Sequence, residues 1–160
     1  MRPISLHPGL CLLALAVVAG VPANARACPD EEVHVTVVSI LATDKDKKID
    51  KKLASLAKCI QAKKPELTGF TIGTQSCTSI EVGKAKEFEF AENDKRKVIV
   101  TVRHGCDEEK KVGLTIKVPC CAEIDYKTCC GKFFPVETCY KTKDGKCVFI
   151  AVMVQPCKGK

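Results

Sequence analysis

Residues 33–41 read VHVTVVSIL and residues 146–155 read KCVFIAVMVQ. Both runs are β-branched and apolar at successive positions, the pattern of a strand covered on both faces. In the second run Val148, Ile150, Val152 and Val154 face one way, and Phe149, Ala151 and Met153 face the other. A sheet covered twice needs a layer on each side, and one helix is available. From Lys51 to about Lys64, Leu53, Leu56, Ala57 and Ile60 recur at i, i+3, i+4 and i+7 and form a single apolar stripe. Asp50 is the expected N-cap, Lys63 and Lys64 suit the negative end of the helix dipole, and Pro65 stops the next turn. Cys59 flanks the stripe and is expected to point toward the sheet. The lysine-rich outer face reads as solvated. Asp44, Asp46 and Asp50 have the spacing of a calcium loop. However, Lys48 and Ile49 stand where a ligand and the turn glycine belong, and Ser55 replaces the closing Glu.

Beyond Leu67 the pattern is almost entirely β. Phe70 and Ile72 alternate in one short strand, and Ile80 and Val82 in another. Phe88 and Phe90 alternate with Glu87 and Glu89, so that strand should have one wet face. The turn Glu92-Asn93-Asp94-Lys95 leads into Val98–Val102, and a polar turn from Gly105 to Lys111 leads into Val112–Val118. Asp144-Gly145 is a hairpin signal between strands Val136–Thr142 and Lys146–Gln155. The expected fold class is α+β: mainly antiparallel sheet or a sandwich of about eight strands with one amphipathic helix, stabilised by disulfides.

The chain has 160 residues, 46% apolar and 28% charged, which suits one domain and excludes collagen-like or disordered chains. Residues 1–27 read as a secretory signal peptide: Arg2, then an apolar stretch from Leu10 to Val21, then Ala25-Arg26-Ala27. Cleavage after Ala27, or in the alternative after Ala25, leaves a disulfide-rich domain from 28 to 160. The leader holds Arg2 and Arg26 and no acid, so its removal lowers the net charge from +7 to +5. Arg26 departs from the Leu-small-small pattern that precedes a lipidated cysteine, so membrane contact is expected only if Cys28 carries lipid. Arg96 and Arg103 are the only other arginines, and interleaved aromatics are missing, so no specific nucleic-acid partner is expected.

Eleven cysteines follow the leader: Cys28, Cys59, Cys77, Cys106, Cys120, Cys121, Cys129, Cys130, Cys139, Cys147 and Cys157. In an exported chain all are disulfide candidates, and the odd number leaves at least one outside intramolecular pairing. No Cys-x-x-Cys occurs, which removes the basic unit of a zinc ribbon or a thioredoxin-type pair. The adjacent pairs Cys120-Cys121 and Cys129-Cys130 flank AEIDYKT. On a strand each pair sends one sulfur to each face; in a bent backbone the four thiolates would instead form a soft-metal site. If the first and last strands are antiparallel neighbours, Cys28 falls near Cys157. The return from helix to sheet suggests Cys59 with Cys77.

Catalytic patterns are sparse. His104 and Cys106 lie two apart, so on one strand they share a face as a Cys–His nucleophile would, with no third orienting residue. His34 lies inside the first strand. There is no Gly-x-Ser-x-Gly elbow, phosphate-cradling glycine loop or His-Glu-x-x-His. No catalytic residue, cofactor or resident metal is expected.

The segments VVSILATDKDKKIDKKLASLAKCI, LTGFTI and GKFFPVETCYKTKDGKCVFIAVMVQPC resemble a group of small exported bacterial proteins of uncharacterised function. The resemblance spans most of residues 33–157 and implies a recurring exported module. The resulting expectation is a periplasmic or extracellular, non-enzymatic binding or structural module of the cell envelope. Its partner would be an envelope protein met through a sheet edge. Soft-metal binding by Cys120, Cys121, Cys129 and Cys130 and a thiol-dependent enzyme are the alternatives.

Overall fold

The computed structural model describes residues 32–90, 96–118, 121 and 123–156. Eight strands run β1 (Glu32–Thr43), β2 (Gly69–Glu81), β3 (Ala85–Phe90), β4 (Arg96–His104), β5 (Lys111–Lys117), β6 (Glu123–Cys129), β7 (Phe134–Lys141) and β8 (Cys147–Pro156). A 3-10 turn at Lys51–Leu53 opens into helix α1 (Ala54–Gln61) between β1 and β2. The strands form two antiparallel sheets, ordered β2-β1-β8-β7 and β3-β4-β5-β6.

Period-two alternation explains how the layers stack. Val33, Val35 and Val37 of β1 and Val148, Ile150, Val152 and Val154 of β8 face the second sheet, where they meet Phe88, Phe90, Val98, Val100, Val102, Val112, Leu114 and Ile116. The alternate residues Val38, Ile40, Ala42, Phe149 and Ala151 face outward, where Leu53, Leu56, Ala57 and Ile60 of the helical segment cover them with Phe70. The central strands β1 and β8 are therefore buried on both sides, as their composition requires. Phe88 and Phe90 are buried and Glu87 and Glu89 are exposed, the one-sided pattern expected for β3. Asp50 caps the 3-10 turn by accepting from the Lys52 N–H at 3.0 Å. The helix is shorter than expected. It ends at Gln61, although Lys64 still donates its N–H to the Ile60 carbonyl at 2.9 Å.

The strand count of eight holds, but two of its parts change. The two short strands expected at 70–72 and 80–82 are one strand, β2. It is continuous because β1 pairs along it, from Thr43 opposite Gly69 to Glu32 opposite Glu81. Gly73-Thr74 forms a bulge opposite Ser39, and the buried Ser39 hydroxyl accepts the Thr74 N–H at 2.6 Å. The strand that replaces the lost one is β6, in the segment between the cysteine pairs. Ile124, Tyr126 and Thr128 turn inward there, while Glu123, Asp125, Lys127 and Cys129 stay exposed.

The β7–β8 hairpin turns at Asp144-Gly145, with Gly145 in the left-handed region at φ 84°. Hydrogen bonds from the Thr142 hydroxyl and then Lys146 hold the Asp144 carboxyl down to about 2, against an ordinary 3.8. A lowered carboxylate pKa contributes stability above its ordinary value, and that contribution disappears as pH falls through the folded value. The Asp144 carboxyl carbon should therefore titrate in NMR with a midpoint near 2, and its share of hairpin stability should fade between about pH 4 and pH 2. A midpoint at the ordinary value would refute the turn geometry.

Candidate functional site

Two sheets have four outer strands: β2 and β7 in the first, β3 and β6 in the second. Three of them carry charge, the common defence of an open edge against unwanted pairing. These charges are Lys86, Glu87 and Glu89 on β3, Glu123, Asp125 and Lys127 on β6, and Glu137 and Lys141 on β7, which also holds Pro135. The fourth, β2, carries none before its last residue. Residues 67–80, LTGFTIGTQSCTSI, contain no charged side chain in a chain that is 28% charged. The other long uncharged runs beyond the leader, 33–43 and 147–157, supply the central strands β1 and β8. β2 shares with the inner strands its lack of charge, but it stands at an edge and is largely polar.

Among the described residues, the Lys48–Asp50 segment covers the beginning of this edge. Phe70 donates its N–H to the Lys48 carbonyl at 2.8 Å and accepts from the Asp50 N–H at 2.9 Å, beside a parallel bridge to Ile49. From Ile72 to Glu81, among the described residues, β2 has a strand neighbour on the β1 side alone. Gln75, Cys77 and Ser79 are exposed along that stretch, and register places all three on the outer face of the sheet.

On that face, in the half not covered by the helix, Cys77 meets two residues of β1. Its Sγ lies 2.6 Å from His34 Nε2 and 3.2 Å from the Thr36 hydroxyl. The opposition of Thr36 to Cys77 and of His34 to Ser79 makes the His34–Cys77 contact a diagonal cross-strand pair. An imidazole at this distance can take the thiol proton, which is what thiol exchange requires.

The other cysteines are spread over the molecule, and among the described residues no disulfide bond is present. Cys59 does not point into the helix–sheet layer. It is exposed beside a groove of about 100 Å³ lined by Ile60, Lys63, Lys64, Pro135, Glu137 and Phe149, with Lys64 and Glu137 paired at 2.9 Å. This groove lies over the β7–β8 side of the sheet, whereas Cys77 is on the opposite outer strand. The two are at least two strand spacings, about 10 Å, apart, beyond the roughly 7 Å limit for a bridge. The expected Cys59–Cys77 pair is thus corrected: both thiols are free.

Cys121 and Cys130 pack against the core between the sheets, while Cys129 is exposed at the end of β6. Cys129 is the last residue of β6 and Cys130 already lies in the turn that follows, so the two are not adjacent strand positions. Among the described residues no three potential metal ligands converge. Cys120 lies outside the described residues, as do Cys28 and Cys157. Cys139 is exposed on β7, and Cys147 packs against the helix-side core opposite Ala42.

His104 and Cys106 do not share a strand face, because β4 ends at His104 and Cys106 follows in the turn. The His104 ring is seated over Gly113, its register partner, where a side-chain carbon would overlap it, and its Nδ1 pairs with the Gly105 carbonyl at 2.9 Å. Beside it is an open cleft of about 300 Å³ lined by Arg103, Leu114, Asp125, Tyr126 and Lys127. Arg103 and Asp125 close a 2.8 Å ion pair there, and Asp125 stays below the ordinary carboxylate range through the Thr115 hydroxyl and then Arg103. No helix among the described residues is long and apolar enough to cross a membrane.

The described residues form a two-sheet antiparallel sandwich with one outer helix, in which one edge strand, β2, carries no charge before its last residue. Comparison with protein-family models, curated proteins and solved structures finds no match, so the chemistry rests on this geometry alone. Sequence reading placed Cys77 among the disulfide candidates and missed its pairing with His34, 43 residues away. The uncharged run was visible in the sequence, but its position at an edge was not.

Proposed function

We propose that the protein is an exported, non-enzymatic module that binds a protein partner, or builds envelope structure, by accepting an added strand at β2. The observation that carries this reading is the contrast among the four edges: three are guarded by charge or proline and one is not. Strand addition draws affinity from main-chain hydrogen bonds and specificity from alternate side chains. The exposed Gln75, Cys77 and Ser79 are such alternates. Disulfide closure after export belongs to the same proposal. Pro156 pairs with Val33, so the described ends of β8 and β1 are neighbours, which supports a Cys28–Cys157 bridge in this proposal.

A synthetic peptide with the sequence of residues 67–81 is a suitable probe, being an uncharged extended segment but for its last residue. It should bind the intact protein and slow amide exchange along residues 72–81. The Gln75→Lys/Ser79→Lys protein should bind it at least about tenfold more weakly, because charge on an edge opposes pairing. Protection on β3, β6 or β7 in place of β2, or no binding, would refute the proposal.

A further inference from the structure

We infer that the strand added to β2 is the β2 of a second copy, paired antiparallel about a two-fold axis through Cys77, with the two Cys77 side chains forming a redox-controlled latch. The inference rests on the edge reading above and names its partner. Beyond the leader, without Arg2 and Arg26, Lys and Arg outnumber Asp and Glu by 24 to 19, so two copies repel over most approaches. Residues 72–80 of β2 form an outer strip on which no like charges meet. A two-fold contact is self-complementary by construction, and an uncharged strip meets that requirement without a matching pattern of opposite charges.

The register follows from what flanks the open stretch. The Lys48–Asp50 segment covers the edge at Phe70, and the chain turns away after Glu81 toward β3. Centring the axis on Cys77 pairs Gly73 with Glu81 of the other copy, Gln75 with Ser79, and Cys77 with Cys77. The overlap ends where each strand turns and stops short of Phe70. Centring it on Gln75 would instead drive Glu81 of one copy against the covered end of the other.

In the Cys77-centred register the two cysteines are directly opposed and their side chains share the outer face. Directly opposed residues of an antiparallel pair have Cα atoms about 4.5 or 5.5 Å apart, according to hydrogen-bonding position. Both separations fall within the range a disulfide spans. The two four-stranded sheets become one of eight strands, ordered β7-β8-β1-β2-β2-β1-β8-β7.

The latch closes by thiol–disulfide exchange with a low-molecular-weight disulfide such as oxidised glutathione. His34 Nε2, 2.6 Å from Sγ, takes the Cys77 proton. The thiolate then attacks one glutathione sulfur, forming a mixed disulfide and releasing one glutathione as its thiol. The Cys77 thiolate of the second copy displaces the other glutathione. Two protein thiols are oxidised, one glutathione disulfide is reduced to two thiols, and one S–S bond joins the copies.

Sedimentation equilibrium of the reduced protein, and non-reducing electrophoresis with peptide mass mapping after incubation with oxidised glutathione, test this together. The reduced wild type should sediment as a reversible dimer. Once oxidised it should give a covalent dimer whose crosslinked peptide carries Cys77 twice. Cys77→Ser should keep the reversible dimer and lose that crosslink, and Cys59→Ser should keep both. Gln75→Lys/Ser79→Lys sets lysines directly opposite one another and should weaken the dimer at least about tenfold with circular dichroism unchanged. A reduced wild type that remains monomeric would overturn the inference, as would a dimer indifferent to the two lysines or a crosslink at another cysteine. A monomer that still binds the 67–81 peptide at β2 would remove the second copy as partner and leave the edge reading standing; a monomer that does not bind it would remove both.

Discussion

Val100→Asp should leave the protein unfolded at 25 °C. Val100 lies in the middle of β4, fully buried between the sheets, with Val98 and Val102 on the same inward face. A carboxylate there has neither water nor a cationic partner, and even its neutral form would lack a hydrogen-bond partner, a cost of several kcal/mol. Domains of this size are stable by about 5–15 kcal/mol, so the substitution removes much or all of that margin. The control is one residue along: Thr101 is half-exposed on the opposite face, and Thr101→Asp should cost less than about 1 kcal/mol. Far-ultraviolet circular dichroism and urea unfolding of the pair decide the point. Equal behaviour of the two variants would contradict the assigned faces of β4.

Phe70→Ala should cost about 3–5 kcal/mol, the range for removing a fully buried aromatic ring. Phe70 is 0% exposed. It sits under the helical segment with Leu53, Leu56, Ala57 and Ile60, and its backbone also holds Lys48 and Asp50. It does not belong to the core between the sheets. The loss should therefore appear first as faster amide exchange in residues 48–61, with the sandwich strands following at the lowered global stability. Urea unfolding should show the lower midpoint at an unchanged slope. A loss below about 1 kcal/mol would mean that the helix layer does not pack on this ring.

These two substitutions probe features of different legibility. Burial of β1 and β8 on both faces was readable because side chains alternate strictly along a strand, whatever it pairs with. The helical stripe Leu53, Leu56, Ala57 and Ile60 was readable for the same local reason at a different period. The wet face of β3 was visible in FEF with Glu87 and Glu89. The alternation Ile124, Tyr126, Thr128 is equally present in β6, but only Thr128 is buried, so its local apolar signal is weak. The Tyr126 ring stacks on Phe134 at 3.7 Å between centroids, a contact that links the second sheet to the start of β7. For β2, Gly73 and the polar GTQSCTS run weakened the local strand signal. Its continuity comes from pairing with β1 and from the Ser39 hydroxyl that satisfies the bulge. The direction of Cys59 was missed because its place over the β7–β8 side depends on how the helix lies on the sheet.

The proposed site shows the same division. That residues 67–80 lack charge is a fact of the chain. Its meaning depends on sheet order, since an uncharged strand is ordinary at the centre and exceptional at an edge.

The amino-acid pattern by itself determined which side of each strand and helix is apolar, and hence an antiparallel α+β architecture with doubly covered central strands, because those periodicities belong to neighbouring residues. Only the tertiary structure decided which strands stand side by side, which four remain at edges, and that His34 meets Cys77. These depend on the pairing of segments distant in sequence, where many partners satisfy the same local pattern and the packing of the whole core selects among them.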